Sequence, residues 1–190
     1  VLLIALATLP IAVVGVGLYL FAESFLSDSV RDPTAVGWLL LVTAGILAVG
    51  EIAGRHHRSL HALGIKDAAL VGGAQVLAAL PGISRSGVTI SAGMVGHMTR
   101  ETSARFSFFL AAPAILGDGS AQALDLIQGE VALTNDEWSV LIVAAVAAFV
   151  SALAAIKGLM ILLHTRSLRP FIGYCIVAGI AVLLARAAGY

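Results

Sequence analysis

The chain has 190 residues, 59% hydrophobic and only 12% charged, with a mean hydropathy of +1.01. A soluble domain carries roughly 25% charged residues, so too little solvated surface is available for one here. Eleven basic and eleven acidic residues cancel, which leaves no electrostatic footprint for nucleic acid, and the single cysteine, Cys175, excludes a disulfide framework and a Cys-based zinc site.

What remains is a multi-pass, polytopic integral membrane protein, expected to be all-α. A spanning helix needs about 20 apolar residues. The first predicted span, 1–26, is uncharged up to Glu23, too long for the apolar core of a signal peptide. It opens at Val1 inside an apolar run, so further residues are expected to precede it. The second span, 35–54, closes near Glu51, and a basic loop follows through Arg55, His56, His57 and Arg58 to Lys66 and Asp67. A span at 102–127 is expected to be interrupted by Pro113 and Asp118. The span at 138–163 is the clearest, uncharged from 138 to 156, and the last, 170–187, opens on Pro170 at a helix start.

Between the second and third spans, residues 68–98 read differently. The apolar stretch 68–80 makes only about 20 Å of helix, too short to cross. Pro81 and Gly82 stop it, and after Ser84-Arg85-Ser86-Gly87 a second short apolar stretch covers 88–98. Two half-length helices around a polar break predict a re-entrant hairpin, whose exposed backbone is tolerated only where it lines a cavity or is buried in protein. Charge supports this path. Loops 27–34 and 128–137 are net acidic, whereas loops 55–67, 99–105 and 164–169 are net basic. The basic loops share one side only if 68–98 dips in and returns, and the positive-inside rule makes that side cytoplasmic.

The break carries the chemistry. An arginine at membrane depth marks a functional site by default, and a guanidinium binds phosphate through a planar fork of donors. Ser84, Ser86 and Thr89 add hydroxyls, while Gly82 and Gly87 allow close backbone approach. A helix starting near Ser86 aims its free N–H groups into the same cavity, as anion sites do. The expectation is a phosphate or diphosphate site; the alternative is that Ser86 only caps a helix and Arg85 pairs with a buried carboxylate.

Residues 81–89, Pro-Gly-Ile-Ser-Arg-Ser-Gly-Val-Thr, resemble the P-G-x-S-R-S-x-x-T signature of the undecaprenyl-diphosphate phosphatase family, the bacitracin-resistance membrane phosphatases. The resemblance extends through Gly73-Ala74-Gln75, the run Arg105 to Pro113, Ala155-Ile156-Lys157 and Arg169-Pro170-Phe171. It implies an inverted-repeat fold and hydrolysis of undecaprenyl diphosphate to the monophosphate, recycling a lipid carrier for cell-wall synthesis. Arg85, Ser84 and Ser86 would be catalytic, and Gly82, Gly87, Thr89 and Gln75 would bind the substrate. The nucleophile, a serine or a water, is left open. The resemblance also implies a divalent cation, Mg²⁺ or Ca²⁺, held by closely spaced glutamates of a first repeat. Residues 1–67 lack that pattern, since Glu23 and Glu51 stand far apart, so no metal ligand is expected in this chain. Family members often have Tyr-Arg in the final helix where this chain has Tyr174-Cys175, with Arg169 a possible substitute.

Other polar residues carry less. Gln75 either faces the cavity or bonds a neighbouring helix. Lys157 is expected to snorkel, His56, His57 and His61 to be solvated, and Glu51 to sit at the interface. His97 and Asp118 are open candidates. Partners are expected to be lipids, with self-association possible. The competing function is transport of polyprenyl phosphate lipids, because broken helices in inverted repeats also build transporters.

Overall fold

The computed structural model describes residues 2–21, 32–54, 57–80, 82–128, 134–165 and 167–188. The expectations placed on Arg55, His56, Pro81, Arg166 and most of the acidic loops fall outside these residues, as does the side chain of Asp118. Among the described residues the regular structure is helical: α1 (Leu2–Phe21), α2 (Pro33–Ala53), α3 (Ile65–Gln75), α4 (Arg85–Val95), α5 (Arg100–Ile127), α6 (Asn135–Thr165) and α7 (Arg169–Ala187), with short 3₁₀ turns at Leu60–Ala62 and Val76–Ala79. The protein is an all-α membrane protein. Among the described residues three helices are long and apolar enough to cross a bilayer, at Pro33–Ala53, Glu137–His164 and Arg169–Ala187. The uncharged α1 has 20 residues.

The expected interruption at Pro113 is not observed: α5 runs for 28 residues with Pro113 inside it. Proline removes one backbone hydrogen bond, but in membrane helices neighbouring groups and local adjustment accommodate the freed carbonyl.

The chain forms two compact units, residues 1–110 with 167–190, and residues 111–166. In the second unit α6 exposes apolar residues all along its length, Val140, Ile142, Val146, Phe149, Val150 and Leu153 among them. A helix apolar on every face has hydrocarbon for its solvent.

The first unit holds the core. Ala7 of α1, Ala68 and Val71 of α3, Ala92 of α4, Met98, and Phe106 and Leu110 of α5 form one buried cluster. Small residues set its spacing. A Cβ on Gly72 would stand 2.5 Å from the Ala7 carbonyl oxygen, and one on Gly179 of α7 would stand 2.9 Å from the Gly37 carbonyl oxygen of α2. Such close backbone approach is how membrane helices gain dispersion energy where lipid removes any hydrophobic difference.

α3 and α4 have 11 residues each, about 16 Å, so neither can span. Their outer ends meet at one arginine. Arg58 Nη1 donates to Asp67 Oδ1 at 2.6 Å and to the Gly96 carbonyl at 3.1 Å, while Nη2 donates to Asp67 Oδ2 at 2.8 Å and to the Ala62 carbonyl at 2.7 Å. Asp67 lies in the first turn of α3 and Gly96 ends α4, so the chain enters and leaves this helix pair at one level. His97 turns the chain there at φ 66°, and its carbonyl accepts the N–H groups of His57 and Arg58.

Asp67 is desolvated by its burial, yet its hydrogen bonds with Arg58 and the Gly64 N–H outweigh that and hold its carboxyl below the usual carboxylate range. A depressed acid contributes stability above its unfolded pKa of roughly 4, which is lost as pH falls through the lower folded value. Thermal unfolding in detergent is therefore expected to show a constant advantage of wild type over Asp67→Asn from neutral pH down to about pH 4, of order 1–2 kcal/mol, narrowing in stronger acid. A difference that grew as pH fell would contradict the clamp.

Candidate functional site

The break lies at the inner end of the α3–α4 pair, a helix length from Arg58. Gly82 takes φ +99°, a backbone region closed to residues with a Cβ, and a Cβ there would also stand 3.1 Å from Leu39 Cβ of α2. Ser84 follows with extended backbone and caps α4: its Oγ accepts the Gly87 N–H at 3.1 Å. Helix α4 thus begins at Arg85, and the capping role that the alternative reading gave to Ser86 belongs to Ser84. Gly87 fits closely beside the cap, since a Cβ there would stand 3.0 Å from Ser84 Oγ and would press on it. With Gly87 N–H taken by the cap, the amides of Arg85 and Ser86 are the first-turn donors left without a partner inside the helix.

The expected side chains separate into two groups. Arg85 is half-buried and Ser86 exposed, with Ser86 Oγ 3.5 Å from Ser84 Oγ. Among the described residues no carboxylate pairs with Arg85, whereas Arg58, Arg100, Arg105 and Arg186 each pair with an acid. Among the described residues, the alternative of a structural ion pair at Arg85 therefore finds no acid. Thr89 faces inward: it is 2% exposed, and its Oγ1 lies 2.6 Å from Ser107 Oγ of α5 and 2.9 Å from the Arg85 carbonyl. Gln75 ends α3, one 3₁₀ turn before the break, and is 1% exposed. Its Nε2 has no hydrogen-bond partner among the described residues, so the bond to a neighbouring helix is not made by that atom there. An unsatisfied buried amide costs about 1–3 kcal/mol.

Two participants escaped sequence reasoning. Thr43, fully buried on α2, accepts the Ser84 N–H at 3.3 Å, and Ser107 holds Thr89. Ser107 falls within the Arg105–Pro113 run that carries the resemblance, with no role of its own marked there, and the only signal for Thr43 was a hydroxyl within an apolar helix. Three other candidates lie elsewhere. His97 stands at the C-terminal end of α4, stacked on His57 with ring centroids 5.9 Å apart. Arg169 follows Leu168, whose N–H donates to Glu51 Oε2 at 3.3 Å, toward that same end. Glu51 is not a lone interfacial acid: it also accepts from Arg100 Nε at 3.1 Å and pairs with Arg100 Nη2.

The donor set of the break is a guanidinium, backbone amides and hydroxyls, suited to an anion with several oxygens. It does not suit a hard divalent cation, which wants carboxylate oxygens, and among the described residues no three His, Cys, Asp or Glu side chains converge.

A family model described as bacitracin resistance protein BacA matches residues 1–181. "Undecaprenyl-diphosphatase 2" of Mesorhizobium japonicum is 40% identical over 187 residues, covering 98% of this chain and 70% of the relative. "Undecaprenyl-diphosphatase" of Mycobacterium leprae is 36% identical over 181 residues, covering 95% and 63%, and that of Mycobacterium ulcerans is 38% identical over 186, covering 98% and 66%. The chain thus spans about two thirds of the length of these relatives.

Proposed function

The chain belongs to the bacitracin resistance protein BacA family, and from that membership we propose that the protein hydrolyses undecaprenyl diphosphate to undecaprenyl phosphate and inorganic phosphate at the break between α3 and α4. The observation that carries this reading is Arg85, a half-buried guanidinium with no acid beside it among the described residues, at a helix start with two uncommitted amides. Phosphoryl transfer asks little covalent chemistry of a protein and much charge neutralisation. Arg85 would bridge two oxygens of the diphosphate, the Arg85 and Ser86 amides and the Ser86 hydroxyl would bind the remainder, and Gly82 and Gly87 would keep the approach open. Ser84 Oγ already accepts the Gly87 N–H, so attack by water suits the geometry better than attack by that serine.

The clamp at Arg58 and the short lengths of α3 and α4 support a hairpin that dips from the basic, cytoplasmic face of the plasma membrane and returns. The divalent cation implied for the family is proposed to take its ligands from residues other than those described. Product release would return the lipid carrier to cell-wall synthesis. Transport of polyprenyl phosphates is not favoured, because the relatives are named as diphosphatases.

The test is phosphate release by the full-length protein in detergent. One phosphate per undecaprenyl diphosphate is expected, and none from undecaprenyl phosphate. Movement of the lipid across vesicles without phosphate release would overturn the phosphatase reading in favour of transport.

A further inference from the structure

We infer that Ser107 of α5 and Thr43 of α2 are positioning residues for the Arg85 turn, holding it from two sides without touching substrate; this rests on the phosphate site proposed above. The direction of the hydrogen bonds can be derived. Thr89 Oγ1 lies 2.9 Å from the Arg85 carbonyl and 3.3 Å from the Ser86 carbonyl, and both are acceptors only, so the Thr89 hydroxyl proton is donated to them. The contact at 2.6 Å is then made by the Ser107 hydroxyl donating to Thr89 Oγ1. A buried chain therefore runs from Ser107 through Thr89 to the carbonyls of the two residues that present the guanidinium and the exposed hydroxyl. Members of such a chain polarise one another in a low dielectric.

On the other side, Thr43 Oγ1 takes the Ser84 N–H, fixing the cap that starts the same turn. Thr43 and Ser107 are 0% and 4% exposed, so neither is placed to meet a ligand directly. Ser91, further along α4, provides a contrast: its buried hydroxyl has no hydrogen-bond partner among the described residues. The first turn of α4 is the part that neighbouring hydroxyls grip. A shift of about 1 Å in a binding group can cost on the order of a hundredfold in rate, which gives such a grip its value.

The test reads inorganic pyrophosphate binding by calorimetry and turnover of undecaprenyl diphosphate, both with the full-length protein. Ser107→Ala and Thr89→Val are each expected to weaken pyrophosphate binding about tenfold and to lower kcat/KM by at least as much. Thr89→Ser, which keeps the hydroxyl, should rescue both. The double variant Ser107→Ala/Thr89→Val should be no worse than either single change, and in an Arg85→Lys background Ser107→Ala should add nothing, because its effect passes through Arg85. Thr43→Val should act like Ser107→Ala, with the melting temperature of the folded protein little changed. Binding and kcat/KM within twofold of wild type in Ser107→Ala, or an equal loss with and without Arg85, would overturn the inference. Pyrophosphate binding without phosphate release by wild type would instead overturn the phosphatase reading and leave the positioning result readable from binding alone.

Discussion

Arg85→Lys is expected to abolish nearly all phosphate release while the protein stays folded and membrane-inserted. The change keeps the charge but loses the fork, and a compact ammonium cannot bridge two diphosphate oxygens. A single donor aimed at charge that develops in the transition state is worth roughly 10²–10³ in rate, or about 3–4 kcal/mol, so kcat should fall along with kcat/KM. Folding should be spared for a structural reason. No described carboxylate pairs with Arg85, so its removal leaves no orphaned acid. Retention of more than about a tenth of wild-type kcat/KM, a loss below ~1.4 kcal/mol, would remove Arg85 from the site. Ser84→Ala separates two roles. If Ser84 only caps α4, stability should fall by about 1 kcal/mol with substantial turnover remaining. Loss as complete as that of Arg85→Lys would make it the nucleophile.

The largest effect on stability is expected at Glu51. Its side chain is 10% exposed, pairs with Arg100 at the start of α5 and accepts the Leu168 N–H just before α7. Glu51→Ala leaves a partly buried guanidinium and a backbone donor without that acceptor. Breaking a fully buried pair in this way costs roughly 3–5 kcal/mol. Arg100 is 29% exposed, so the lower end of that range is expected. Combining the change with Arg100→Met should recover most of the loss, because removing both partners is far cheaper than stranding one. Thermal unfolding in a single detergent measures both. A Glu51→Ala cost under ~1 kcal/mol, or no recovery in the double variant, would show that the junction is incidental.

The fold was legible wherever composition alone decides it. Helices α2, α6 and α7 are long apolar runs, and the break at 82–87 announces itself by glycines and an arginine where hydrocarbon is expected. Boundaries were harder, because caps set them. Asp67 reaches back to the Gly64 N–H and starts α3 at Ile65, three residues before the apolar stretch begins, and Ser84 starts α4 at Arg85. Pro113 misled because the rule that proline ends helices comes from water-exposed chains. Thr43, Ser107 and the junction at Glu51 were illegible for a shared reason: each gains its meaning from a partner far along the chain, and a lone hydroxyl or carboxylate carries no mark of that partner.

The joining of Glu51 to Leu168 across 117 residues, with Gly37 against Gly179 higher on the same pair of helices, bears on biosynthesis. The ribosome delivers α2 well before α7. Until α7 has been made, the Gly37 face of α2 meets lipid instead of its closest neighbour, and Glu51 lacks one of its donors. Completion of this unit therefore waits until α7 has been made. A nascent chain stalled before residue 169 should be protease-sensitive in the hairpin region and become resistant once α7 is released into the membrane.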